Sequence, residues 1–163
     1  MDDVLEAWTD FNVALMGATA ALAGLVIVAA SVNIAEIVKA TSLTARLAAG
    51  IAGLVLAIVG AGVGLVPGIT PLAYGITMIA FALVTGVFAG QAARRIFENR
   101  HPANRMRPGK AVVGFVAPVA YLVGGSLLVA GESDGVVWFA AGAIAAIVAG
   151  LLISWIALVE VLR

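Results

Sequence analysis

The sequence predicts an all-α integral membrane protein with five transmembrane helices, its amino terminus outside and its carboxyl terminus in the cytoplasm. Three observations predict it. The composition leaves too little polar surface to face water, five apolar runs are long enough to cross a bilayer, and the charges between those runs segregate by sign.

Of the 163 residues, 63% are hydrophobic and 11% are charged. Mean hydropathy is +1.15. A water-soluble domain carries roughly a quarter of its residues as charges, so lipid is expected to cover most of the exterior of a single membrane domain over residues 1–163. Formal net charge is zero, which gives no reason to expect a nucleic-acid partner. The absence of cysteine excludes disulfides, thiolate metal sites and cysteine nucleophiles.

A crossing needs about 20 mostly apolar residues at about 1.5 Å rise each. The first run covers residues 11–34. Asp2, Asp3 and Glu6 precede it where a cleaved signal peptide would be basic, so this segment is expected to remain as a spanning helix. Asp2 and Asp3 suit a helix amino terminus, where free N–H groups and the positive dipole end favour carboxylates. Val4, Trp8, Phe11 and Leu15 recur at helical spacing, and the pattern predicts a helix that continues through Glu36 to Lys39 before Thr41 and Ser42 break it. The second run (residues 47–66) and the third (residues 70–90) are separated only by a short segment holding Pro67, Gly68 and Pro71. Two prolines around a glycine predict a tight helical hairpin. A basic loop, residues 91–110, leads to the fourth run (residues 111–131), and a short acidic turn leads to the fifth (residues 136–159). All five runs are apolar on every face, unlike the alternating segments of a membrane barrel, and helices satisfy their own backbone in lipid.

Charge sets the orientation. With the amino terminus outside, the cytoplasmic segments carry Lys39 and Arg46, then Arg94, Arg95, Arg100, Arg105, Arg107 and Lys110, then Arg163, which is every basic residue. The outer segments carry Asp2, Asp3, Glu6 and Asp10, then Glu132 and Asp134. This is the positive-inside pattern of a multi-pass protein of the cytoplasmic (inner) membrane.

Packing signals follow from the 19 glycines. Small residues let helices approach closely in lipid. They recur as Gly17 and Ala21, Ala20 and Gly24, Gly60 and Gly64, Ala82, Gly86 and Gly90, then Gly142, Ala146 and Gly150. Such faces join helices within one chain or between copies.

The candidate functional residues lie on the first helix. Asp3, Asp10, Gly17, Gly24 and Ser31 recur every seven residues, a seam that left-handed supercoiling keeps on one line. Around an axis it gives acidic rings at an outer mouth, with Glu6 beside them, above a narrow lining of small residues. Rings of Asp or Glu admit cations. The competing reading is a solvated acidic tail followed by a packing face. Asn12, Thr19 and Asn33 form a second polar face, suited to interhelical hydrogen bonds or to an alternative pore lining. Arg94, Arg95, Arg100, Arg105, Arg107 and Lys110 can attract anionic lipid or dock a partner, and serve equally as a topological anchor.

No charge lies within the central part of any run, which argues against a proton-coupled carrier. His101 is the only histidine, too few for a histidine metal or haem site. Ser126, Ser154, Thr77 and Thr85 have no visible base partner. No cofactor, metal or enzymatic activity is therefore expected.

Trp8, Thr9, Asp10 and Phe11, followed by residues 20–34 (AALAGLVIVAASVNI), resemble the opening of small multi-pass bacterial membrane proteins. Some of these carry a label as modulators of a membrane-bound AAA protease. The resemblance covers the first helix and implies an accessory role beside another membrane protein. The residues themselves lead to a different expectation: a homo-oligomer forming a small ion-conducting pore, with the first helix near the axis.

Overall fold

The computed structural model of the protein describes residues 2–39, 41–98 and 107–161. Among them are seven helices and no strand. These are α1 (Asp2–Ala7), α2 (Thr9–Val32), α3 (Ile34–Lys39), α4 (Thr41–Gly64), α5 (Pro71–Glu98), α6 (Arg107–Val129) and α7 (Gly135–Val161). Five of them, α2, α4, α5, α6 and α7, are long and apolar enough to cross a membrane. The chain has the architecture of a multi-pass membrane protein.

The amino-terminal segment is helical at every described position but two, which divide it into α1, α2 and α3. It breaks at Trp8 (φ −96°, ψ 1°) and at Asn33 (φ −109°, ψ 17°). Around the second break the side chains compete with the backbone. The Ser31 hydroxyl donates to the Ile27 carbonyl at 2.8 Å, and the Asn33 amide donates to the Ala29 carbonyl at 3.1 Å. Extra donors on helix carbonyls loosen and bend the turn. The ladder resumes with the Ile37 N–H donating to the Asn33 carbonyl at 3.1 Å. At the first break the Trp8 N–H donates to the Leu5 carbonyl at 3.2 Å, a tightened final turn, and the Trp8 ring meets Phe11 edge-on at 5.4 Å.

Helix α4 begins at Thr41, ahead of the apolar run at residue 47, and takes Arg46 into the helix. The turn into it is tied by the Thr44 hydroxyl, which donates to the Ile37 carbonyl at 2.9 Å. The hairpin between α4 and α5 is the reversal that the two prolines imply. Thr70 caps α5, its hydroxyl accepting the Ala73 N–H at 3.2 Å, and Pro71 occupies the first helical position, where no N–H is needed. Gly68 takes φ 74°, open to glycine without strain. Helix α6 ends with Gly131 at φ 91°. The Gly131 N–H donates to the Leu128 carbonyl at 3.1 Å and the Glu132 N–H to the Leu127 carbonyl at 2.9 Å, the paired bonds of a Schellman ending.

The spans form an up-and-down bundle with α4 at its centre. It packs against α2, α5 and α7, while α6 closes the bundle by packing on α5 and α7. More than half of the apolar stretch of α4 is buried within the chain, against less than a quarter of that of α2. Helix α2 lies at the edge, on α4 and α7. One end of the bundle bears Glu6, Asp10, Glu132, Asp134 and the hairpin, and the other bears Lys39, Arg46, Arg94 and Arg95. These are called the acidic and the basic end below.

The core toward the acidic end is aromatic. Phe139 stacks on Tyr121 at 5.2 Å and meets Tyr74 at 4.9 Å, contacts worth about 0.5–1.5 kcal/mol each beyond their burial. The Tyr74 hydroxyl donates to the Gly60 carbonyl at 2.8 Å, which satisfies a polar group that lipid would otherwise leave stranded. Toward the basic end a second cluster joins Ala23, Val26, Ile37, Leu43, Leu47, Leu54 and Ile153.

Candidate functional site

The small-residue series separate into two classes. Gly60 admits the Tyr121 ring, Gly64 admits Asn12 and Tyr74, Gly142 admits Tyr121 and Ala120, and Gly150 admits Leu54. These glycines join helices of the same chain. At Gly17, Gly24, Gly86 and Gly90, by contrast, an added Cβ would meet nothing within 4 Å.

The seam of the first helix falls in the second class. Asp10, Gly17, Gly24 and Ser31 are all exposed on α2, and among the described residues nothing lies within 4 Å of a Cβ added at Gly17 or Gly24. The reason is local. Leu15, Ala23 and Val26 turn the opposite stripe of α2 into the bundle, so a seven-residue repeat offset from them must face outward. Glu6 is exposed on α1. The side chain of Asp3 lies outside the described residues.

The second polar face has a different environment. Thr19 is fully buried, and its hydroxyl donates to the Leu15 carbonyl at 2.6 Å. Asn12 is buried too. A Cβ on Gly64 would fall 2.7 Å from its amide nitrogen and 3.0 Å from the Tyr74 hydroxyl, so both groups converge on that glycine. Asn33 is half-buried and bonded to its own helix. Asn12 and Thr19 thus sit within the bundle rather than on its surface.

At the acidic end a cleft of about 430 Å³ separates the amino-terminal helix from the hairpin. Glu6 and Thr9 line one side, and Gly64, Pro67, Gly68 and Thr70 the other. It places one carboxylate opposite the carboxyl end of α4, where helix carbonyls carry partial negative charge.

At the basic end Arg94 and Arg95 both donate to Glu98 at 3.0 Å. All three side chains are well exposed, so the pairs add little stability. Arg100 and Arg105, and the side chains of Arg107 and Lys110, lie outside the described residues.

Among the described residues, one charged residue is buried in the bundle. Arg46 was placed in a loop, yet it is buried inside α4 at 9% exposure. Its signal was present in the periodicity: Leu43, Arg46, Gly50, Gly53 and Ala57 recur every three or four residues and are all buried. Among the described residues no group of three or more His, Cys, Asp or Glu side chains could hold a metal ion.

No family model, curated protein or solved structure matches the chain.

Proposed function

We propose that this protein is a non-enzymatic pore of the cytoplasmic membrane, a homo-oligomer whose first helices surround an axis and pass small cations. The observation that carries this reading is the exposed seam of α2, where Asp10, Gly17, Gly24 and Ser31 face away from the rest of the described residues. Small residues permit close helix approach in lipid, and the acidic group sits at one end of the seam, where a ring of carboxylates would concentrate cations. The burial of Asn12 and Thr19 favours this seam over the second polar face.

The amino terminus lies outside and the carboxyl terminus in the cytoplasm. The segregation of Glu6, Asp10, Glu132 and Asp134 from Lys39, Arg46, Arg94 and Arg95 supports that orientation by the positive-inside rule.

A second reading, a non-conducting accessory subunit of a larger membrane complex, draws on one observation. Gly86 and Gly90 are also uncovered, and they lie on α5, which packs on α4 and α6. A partner helix docked there would account for them, and the stoichiometric co-purification of an unrelated chain would favour this reading.

Cation flux into liposomes separates the two. Asp10→Asn removes one charge per subunit from the mouth and is expected to lower flux several-fold. Wild-type protein that conducts nothing, or a variant that conducts as well as wild type, sinks the role given to Asp10.

A further inference from the structure

The bundle buries two polar side chains that it does not pair. Asn12 is 6% exposed and Tyr121 is 1% exposed. The Asn12 backbone N–H donates to the Trp8 carbonyl at 2.9 Å. Its side-chain amide has no hydrogen-bond partner among the described residues, and neither has the Tyr121 hydroxyl. Unpaired amides and hydroxyls are costly in an apolar interior, and buried polar groups almost always find a protein or a water partner. No fully enclosed side-chain nitrogen or oxygen lacks a partner among the described residues, so the unpaired atoms of Asn12 and Tyr121 border open space. Both residues line an internal cavity of about 10 Å³.

All five spanning helices contribute to its wall, with Asn12 from α2, Gly60 from α4, Tyr74 from α5, Tyr121 from α6 and Phe139 from α7. Gly60 and Gly64 make the room. A Cβ at Gly60 would fall 2.9 Å from the Tyr121 hydroxyl, and one at Gly64 would fall 2.7 Å from Asn12 Nδ2 and 3.0 Å from the Tyr74 hydroxyl. Polar groups of three helices therefore converge on one stretch of α4. The Tyr74 hydroxyl donates to the Gly60 carbonyl, which leaves its oxygen free to accept. A single water needs about 10–15 Å³ and two to four polar partners, and this cavity offers both. A metal cation fits poorly. No carboxylate lines the cavity among the described residues, and calcium or magnesium takes about six or more oxygen ligands.

We propose that this cavity is a binding site for one ordered water. The water accepts from the Tyr121 O–H and from Asn12 Nδ2, and it donates to the Tyr74 hydroxyl oxygen. About three such bonds are the usual complement of a buried water, and a bridge of this kind is nearly as favourable as a direct hydrogen bond. It ties α2 to α5 and α6. Helix α2 is the least buried of the five spans, so it has the fewest apolar contacts to set its rotation about its own axis. The bridge holds Asn12 inward and, with it, Asp10 and Gly17 outward. The proposal is independent of whether the assembled protein conducts.

The test is X-ray radiolytic labelling of the full chain in nanodiscs, read by mass spectrometry. Hydroxyl radicals form from bound water where it sits, so a buried side chain touching an ordered water is oxidised although bulk solvent cannot reach it. Tyr121 is expected to be labelled in wild type. Met78 is 0% exposed, lies outside the cavity wall and carries the more reactive side chain, and it is expected to stay unlabelled. Asn12→Leu keeps the size of the side chain and removes the amide, and is expected to lower Tyr121 labelling several-fold. Thr19→Val changes a buried hydroxyl that bonds its own helix, and is expected to leave Tyr121 labelling as in wild type. An unlabelled Tyr121 in wild type overturns the proposal, as does an Asn12→Leu variant that keeps wild-type labelling. Met78 labelled as strongly as Tyr121 also overturns it, because water then permeates the whole core. So does a Thr19→Val variant that loses as much as Asn12→Leu, because looser packing of α2 then explains the loss. Should Asn12→Leu fail to fold, the contrast between Tyr121 and Met78 in wild type decides.

Discussion

At Gly75 an added Cβ would fall 2.8 Å from the carbonyl oxygen of Gly125, a backbone atom that cannot move aside without shifting a helix. At Gly17 and Gly24 the same Cβ meets open space. Alanine substitutions of identical chemistry at these two kinds of site should therefore have opposite consequences for the single chain. Gly75→Ala is expected to lower stability by about 1–3 kcal/mol through overpacking between α5 and α6. Gly17→Ala and Gly24→Ala are expected to leave it unchanged or raise it by up to about 1 kcal/mol through helix propensity. Thermal unfolding of the three variants in one detergent, under conditions that keep the protein monomeric, checks this. A loss at Gly17 equal to that at Gly75 would mean that the seam is covered within the chain. The spacing of the glycines was legible in the sequence, but whether each faced inward was not. That depends on which helices become neighbours, and glycine looks the same on either face. Arg46 was misplaced for a related reason. Its charge outweighed the buried periodicity of Leu43, Gly50 and Gly53.

The helices themselves were legible because twenty apolar residues in lipid have few alternatives to a helix, and the Pro67–Pro71 reversal was legible because its residues have strong conformational preferences. The interruptions at Trp8 and Asn33 were not, since they coincide with local hydrogen bonds rather than with a change of composition. Two element boundaries carry a prediction. Thr70→Ala removes the oxygen that accepts the Ala73 N–H and is expected to cost about 1 kcal/mol, with Thr70→Ser restoring most of it. Gly131→Ala forces a Cβ onto φ 91° and is expected to cost about 1–3 kcal/mol. Both are read from chemical or thermal unfolding of the monomer. A Thr70→Ala variant as stable as wild type would show that the α4–α5 hairpin is held by packing alone.

On the scale of the molecule, α4 is surrounded and α2 is peripheral. A helix at the edge of a bundle, carrying open glycines and an acidic end, is the part of this chain best placed to meet another copy. Ring closure requires that such contacts repeat around an axis, and that property belongs to the assembly, so no reading of one chain supplies it. The measurement that tests the account most directly is the native mass of the gently purified protein in nanodiscs, for wild type and for Gly17→Leu combined with Gly24→Leu. The account predicts a closed ring of about four or more identical subunits for wild type and smaller species for the double variant, whose bulky side chains would hold the first helices apart. A wild-type monomer, or a fixed complex with an unrelated chain, would contradict the axial pore and direct attention to the partner.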